Sequence, residues 1–211
     1  MARPERAVAE PEAEKRVRII SAARQLFTTQ GFESTTMAEV ALNAAVSVGT
    51  LYHYFESKRD LLVELAMESG RQVAAALFTP DILAIPLAQR ASAMIDATFR
   101  VCESRQREIG LLHLYLDPET EVDGWAKFAD QIVVPLTKFV QDGIDQGVFS
   151  PMPAEMAARL MYGMVDSALQ QCFVFEHGAR QEEYKAGLAE IMNRIFLFPG
   201  GAATPDHQVE S

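Results

Sequence analysis

Three helix starts crowd into residues 36–57. Thr36-x-x-Glu39 and Ser57-x-x-Asp60 are capping boxes. In each, the hydroxyl takes an orphan amide of the first turn, and the acid three residues on returns to the cap's own amide. Ser47, between them, can cap another helix in the same way. A helix opened at Thr36 must stop before Ser47, and one opened at Ser47 must stop before Ser57. The stretch therefore holds two short helices and the start of a long one, with a tight turn at Ala45-Val46 between the short pair. Met37, Val40, Ala41 and Ala44 share one side of the first short helix. Leu51 and Phe55, one turn apart on the second, face back toward it, and Val46 supplies an apolar residue where the two must meet. This is helix-turn-helix logic.

The second helix leaves Val48, Gly49, Thr50, Tyr52, His53 and Tyr54 largely free to face outward. Hydroxyl and phenol groups of this kind reach phosphates, and small residues lie against base edges in a major groove. Lys58 falls in the first turn of the following helix, beside amides that also favour phosphate. The charge pattern is compatible with that use. The chain carries −10 overall, but residues 15–60 hold six Lys/Arg against four acids, a net +2, and residues 61–211 alone carry −10. A surplus of +2 would not by itself establish nucleic-acid binding.

Elsewhere apolar residues recur at three- and four-residue spacing, and no strand-like alternation of useful length occurs. Helices are expected from about Glu12 to Gln30, with Val17, Ile20, Ala23 and Phe27 inward and Gly31 as the stop. The Ser57 helix turns Leu61, Leu62, Leu65 and Val73 inward and ends at Pro80. Further helices follow from Pro86 to about Gln106, from Arg107 to Leu116 before Asp117-Pro118, and from about Val122 to Gln146 with Pro135 as a kink. Two more run from Pro153 to about His177 and from Gln181 to Phe198, before Pro199-Gly200. The expected fold is all-α, with about nine helices. Residues 1–14 form a disordered arm, 15–60 a three-helix helix-turn-helix domain, 61–200 a larger ligand-binding and dimerisation bundle, and 201–211 a disordered tail.

Several function classes are set aside. Cys102 and Cys172 are isolated, so neither a disulfide framework nor a zinc site is suggested, and a reduced cytoplasmic setting is the plain reading. No pair among His113, His177 and the two cysteines has ligand spacing, so no metal and no other cofactor is expected. The charged N-terminus lacks the apolar core of a signal peptide, and no apolar run reaches the roughly 18 residues of a membrane span. A nucleophile motif, a Gly-rich phosphate loop and paired catalytic carboxylates are all missing, which argues against an enzyme.

The run G-F-x-x-T-T-M-A-E-V-A, followed by A-A-V-S-V-G-T-L-Y-H-Y-F-E-S-K-R-D-L-L, resembles the N-terminal domain of TetR-family transcriptional regulators over roughly residues 15–65. The resemblance implies a homodimer on a palindromic operator in double-stranded DNA, with a recognition helix at about 48–54. It also implies a ligand-responsive C-terminal domain that dimerises through its last two long helices. By position, Thr36, Thr50, Tyr52, His53, Tyr54 and Lys58 would contact backbone phosphate or sugar, Tyr52 also a base. Met37, Ser47, Val48 and Gly49 would read bases. Val48 and Gly49 offer no bidentate hydrogen bonding, so specificity would rest on thymine methyls and DNA shape. One departure stands out: the family usually has glycine in the turn, where this chain has Ala45. The resulting expectation is a repressor released by a small, largely apolar or aromatic effector. The alternative is a helical DNA-binding or architectural adaptor without a ligand.

Candidate ligand contacts in the bundle are Met94, Phe99, Cys102, His113, Tyr115, Trp125, Phe128, Met161 and Tyr162, with Asp166 and Gln170 one turn apart as polar groups of the pocket or hydrogen-bonding groups of an interface. Singly each suits core packing; together Met and aromatic side chains also suit an adaptable cavity. Met156, Leu160, Met164 and Ala168, then Leu188, Ile191, Met192, Ile195 and Phe196, form apolar stripes wide enough for a four-helix dimer interface.

Overall fold

The computed structural model describes residues 11–116 and 122–196, the side chains of 122–126 excepted. Trp125, the Asp117-Pro118 stop, the Pro199-Gly200 stop, the tail 201–211 and most of the expected arm lie outside the described residues. Every regular element among them is helical: α1 Glu12–Gln30, α2 Met37–Asn43, α3 Val48–Tyr54, α4 Lys58–Leu77, α5 Pro80–Ala84, α6 Leu87–Glu103, α7 Gln106–Tyr115, α8 Val122–Asp145, α9 Ala154–Leu169 and α10 Gln181–Phe196. α9 runs on into a π-helical turn, Gln170–Phe175.

The expected helices are present, and two details differ. Pro80 was read as a stop, but it opens α5, capped by Thr79, whose Oγ1 accepts from the Ile82 amide. Proline suits a first helical position because its missing N–H would be an orphan there anyway. α1 begins at Glu12, inside the stretch expected to be an arm. Pro135 lies within α8, as expected, without ending it.

The caps form as the spacing requires. Thr36 and Ser57 make complete capping boxes with Glu39 and Asp60. Ser47 Oγ accepts from the Thr50 amide at 3.0 Å. Between α2 and α3 the chain makes a Schellman turn: the Val46 amide donates to Ala41 O and the Ala45 amide to Leu42 O. That turn needs a left-handed residue, and Ala45 has φ 53°.

Two apolar cores result. The N-terminal one contains Ile19, Ile20, Ala23 and Phe27 of α1, Val40 and Ala41 of α2, Leu51, and Leu61, Leu62 and Leu65 of α4. It also takes in Ala66 and Leu111, Leu112 and Leu116 from the α7 region, so it reaches past the boundary expected at residue 60. Val17, read as inward, is 65% exposed. Leu51 and Leu65 are wholly buried, and truncating either to alanine is worth about 2–5 kcal/mol. The C-terminal core is built from α6, α8, α9 and α10 around Phe99, Val133, Val140, Ala158 and Cys172. α4 belongs to both: its first half packs on α1, and its second half on α6 and α8. At Gly70 α4 lies close against α8: a Cβ there would sit 2.9 Å from the Phe128 ring.

Candidate nucleic-acid interface and ligand cavity

α3 is held from one side only. Leu51 and Phe55 are buried beneath it, while Ser47, Gly49 and His53 are exposed, Val48 is 44% exposed and Tyr52 50%. Thr50 is half-buried, and its hydroxyl lies 2.7 Å from that of Ser47, so the two act as one polar unit at the helix start. Tyr54 is half-buried against the N-terminal core, its ring edge-on to His53 at 5.5 Å. Met37 is also half-buried and packs on that core. The outward face is therefore Ser47, Val48, Gly49, Tyr52 and His53. Leu42, at the end of α2 and 79% exposed, flanks the turn into α3. Sequence reasoning missed it because an isolated leucine on a short helix reads as core.

Two expected phosphate contacts are placed differently. Lys58 turns inward: its Nζ donates to Phe32 O at 2.6 Å, Thr35 O at 2.9 Å and Glu33 O at 3.1 Å, and stands 4.5 Å from the centre of the Phe32 ring. An ammonium has three donors, and all three are used. Lys58 is thus a strut that ties the start of α4 to the α1–α2 loop. Thr36 likewise spends both donors on Glu39, its amide and its hydroxyl each 2.8 Å from Oε2. Those two bonds hold the exposed Glu39 carboxyl below its usual pKa. Other cations of this domain are engaged as well: Arg16 pairs with Glu64 at 2.7 Å, and Arg24 with Glu68 at 2.8 Å and Glu108 at 2.9 Å.

A cavity of about 110 Å³ lies among α4, α6, α7, α8, α9 and α10. That exceeds the roughly 10–15 Å³ one water needs. Of the expected ligand contacts, Met94, Cys102, His113, Phe128, Met161, Tyr162 and Asp166 line it. Phe99 does not: it is fully buried, its ring 5.8 Å from that of Phe173. Nor does Tyr115, which packs on Phe32 at 4.8 Å in the N-terminal core. Gln170 opens the π-helical turn away from the cavity. Ser69, Thr98, Arg105, Ile132, Leu136 and Val165 also line the wall. No local pattern marks them, because the cavity is assembled from six helices.

Its polar groups are few and specific. His113 Nδ1 lies 2.9 Å from Ile109 O, which can only accept, so Nδ1 carries a proton. Nε2 faces Asp166 Oδ1 at 3.6 Å. Burial lowers the His113 pKa, but the nearby Asp166 carboxylate and the Ile109 carbonyl outweigh it and leave it raised. Burial, then the Asp166 charge, push the Cys102 thiol up to about 12, so it is no nucleophile. No group of three or more His, Cys, Asp and Glu able to hold a metal occurs among the described residues.

Next to the cavity, Glu108 is 3% exposed and pairs with both domains. Its Oε1 accepts from Ser69 at 2.6 Å and faces Arg105 at 3.4 Å, while Oε2 accepts from Arg24 of α1. Ser69 and Arg105 are cavity-wall residues, so one buried carboxylate joins that wall to the first helix of the N-terminal domain.

Residues 19–65 match the family model described as "Bacterial regulatory proteins, tetR family". The HTH-type transcriptional regulator UidR of Escherichia coli K12 is 37% identical over 65 residues, which is 31% of this chain and 33% of that protein. The chain thus spans about a third of UidR's length. YfiR of Bacillus subtilis 168, an HTH-type transcriptional regulator, is 26% identical over 194 residues, 86% of this chain and 89% of YfiR. The crystal structure of a bacterial regulatory protein in the tetR family from Rhodococcus RHA1 has a TM-score of 0.63 at 22% identity, over 88% of this chain and 97% of that one. All three are regulators by name, none an enzyme.

Proposed function

We propose that this chain, whose residues 19–65 are a TetR-family DNA-binding region, is a homodimeric transcriptional repressor that leaves a palindromic operator when a small effector enters the cavity. It acts on double-stranded DNA in the cytoplasm. The observation that carries this reading is α3: a short helix pinned by Leu51 and Phe55, capped by Ser47, with Val48, Gly49 and Tyr52 turned to solvent. Such a helix fits a major groove, with Tyr52 and the Ser47–Thr50 pair on phosphate and Val48 on base edges.

A single α3 touches only one half-site, so the reading requires two copies. The outer faces of α9 and α10 supply the surface for a second: Met156, Leu160, Ile191 and Ile195 are each 45% exposed or more. The shallow groove between the helices is floored by Gly163 and Gly187. The rest of the expected stripe serves the monomer, since Ala168, Leu188, Met192 and Phe196 are buried in the C-terminal core and Met164 packs against it. Release follows by population shift. An effector weakens DNA binding only by its differential affinity for the two dimer geometries, typically about 1–3 kcal/mol.

The direct test is selection from random DNA with the purified protein. A palindromic site should emerge, and Tyr52→Ala should bind it roughly tenfold more weakly, about 1.4 kcal/mol, with helicity by circular dichroism unchanged. Equal affinity of the folded variant would remove α3 as the reading element. Operator binding that no small molecule alters would favour the ligand-free adaptor.

A further inference from the structure

The cavity wall is chemically uneven. Met94, Phe128, Ile132, Leu136, Met161 and Leu169 make it apolar, whereas His113, Tyr162 and Asp166 bring polar atoms to it. The Tyr162 oxygen is buried and has no hydrogen-bond partner among the described residues. A buried hydroxyl in that state forfeits the bonds it made to water in the unfolded chain. Tyr162 and Asp166 are one turn apart on α9, so their side chains share a face. Asp166 turns one oxygen to His113, and its charge reaches Tyr162, whose pKa burial and that charge raise. The phenol therefore keeps its proton and can donate, while the carboxylate can only accept.

These two groups discriminate among ligands. A carboxylate or phosphate here would face Asp166 in a low-dielectric pocket, where His113, the one cation-forming group beside it, is turned to Asp166 itself. Arg105 does not offset this, since it is turned to Ser69 at 3.3 Å and Glu108 at 3.4 Å. A pure hydrocarbon leaves Tyr162 unmatched. A hydroxyl satisfies both groups, accepting from Tyr162 and donating to Asp166. We propose that the cavity binds a small uncharged alcohol or phenol, its hydroxyl held between Tyr162 and Asp166 and its hydrocarbon body against Met94, Phe128, Ile132 and Met161. This rests on the effector reading above and adds the chemical class.

Three single-ring probes of similar shape test it by titration calorimetry on the full chain: p-cresol, toluene and p-toluate. p-Cresol should bind tightest, and p-toluate at least about tenfold more weakly. Tyr162→Phe should weaken p-cresol by roughly three- to tenfold, as loss of one neutral hydrogen bond implies, and leave toluene unchanged. Toluene or p-toluate binding as well as p-cresol would overturn the proposal, as would an equal loss for p-cresol and toluene in the variant. Should Tyr162→Phe not fold, Asp166→Asn carries the test: it should narrow the gap between p-cresol and p-toluate, and an unchanged gap overturns the assignment. Binding of none of the probes overturns it too, while selection from random DNA still decides the regulator reading separately.

Discussion

At the scale of single residues, Ala45 and Gly147 make a natural comparison. Both occupy the left-handed position of a Schellman turn. In one, Val46 and Ala45 amides bond back to Ala41 and Leu42; in the other, Val148 and Gly147 bond back to Gly143 and Ile144. The φ values are 53° for Ala45 and 67° for Gly147. Glycine takes that conformation without a Cβ clash, and an L side chain does not. Ala45→Gly should therefore raise the unfolding free energy by about 1 kcal/mol in urea titrations, less whatever glycine adds to unfolded-chain entropy. A lower value would mean the turn is not strained. The sequence marked the position only through the family resemblance, which puts glycine in this turn; the positive φ is a finding of the structure. The inward course of Lys58 was not legible. A lysine in a helix's first turn looks the same whether its ammonium meets phosphate or the Phe32, Glu33 and Thr35 carbonyls, and only the packing of the α1–α2 loop decides.

At the scale of elements, helix starts were readable because capping chemistry is local, and α2, α3 and α4 begin where Thr36, Ser47 and Ser57 require. The faces of α9 and α10 were only half readable. Periodicity marks an apolar stripe, but one wide stripe serves two neighbours, and sequence spacing does not divide it. The fold does: Ala168, Leu188, Met192 and Phe196 turn inward, and Leu160, Met156, Ile191 and Ile195 outward. Introducing a charge on the outer set should therefore break self-association without unfolding the monomer. Leu160→Glu with Ile191→Glu should sediment as a monomer whose helicity and melting cooperativity are retained. A dimer that survives both substitutions would place the interface elsewhere. The π-helical turn at the end of α9 left no signature that spacing could reveal; it adds one residue to a helix that was read as continuous from Pro153 to His177.

At the scale of the molecule, the junction between the two cores carries one buried carboxylate with partners on α1, on α4 and in the turn before α7. Arg24 and Arg105 are each about a quarter exposed, so solvent weakens their individual pairings, while Glu108 itself is nearly sealed. Glu108→Gln keeps the shape and removes the charge that Ser69, Arg24 and Arg105 address. It should cost about 2–3 kcal/mol in urea denaturation, more than Arg24→Met, whose loss water partly covers. The reverse order would show that Arg24, not Glu108, holds the junction. The other cross-domain feature is the length of α4. Its 20 residues span about 30 Å at 1.5 Å per residue. Gly70, pressed on the Phe128 ring, leaves about 18 Å of helix toward Lys58 and about 10.5 Å toward Leu77. Treated as a beam on that fulcrum, α4 has unequal arms. Were α4 to pivot rigidly there, a displacement at the Leu77 end would reappear at the Lys58 end reversed in direction and enlarged about 1.7-fold. Lys58, bonded to three carbonyls of the α1–α2 loop, would pass that motion to α2 and α3 with little slack. The gearing of the molecule is thus set by where along α4 a residue without a side chain was placed.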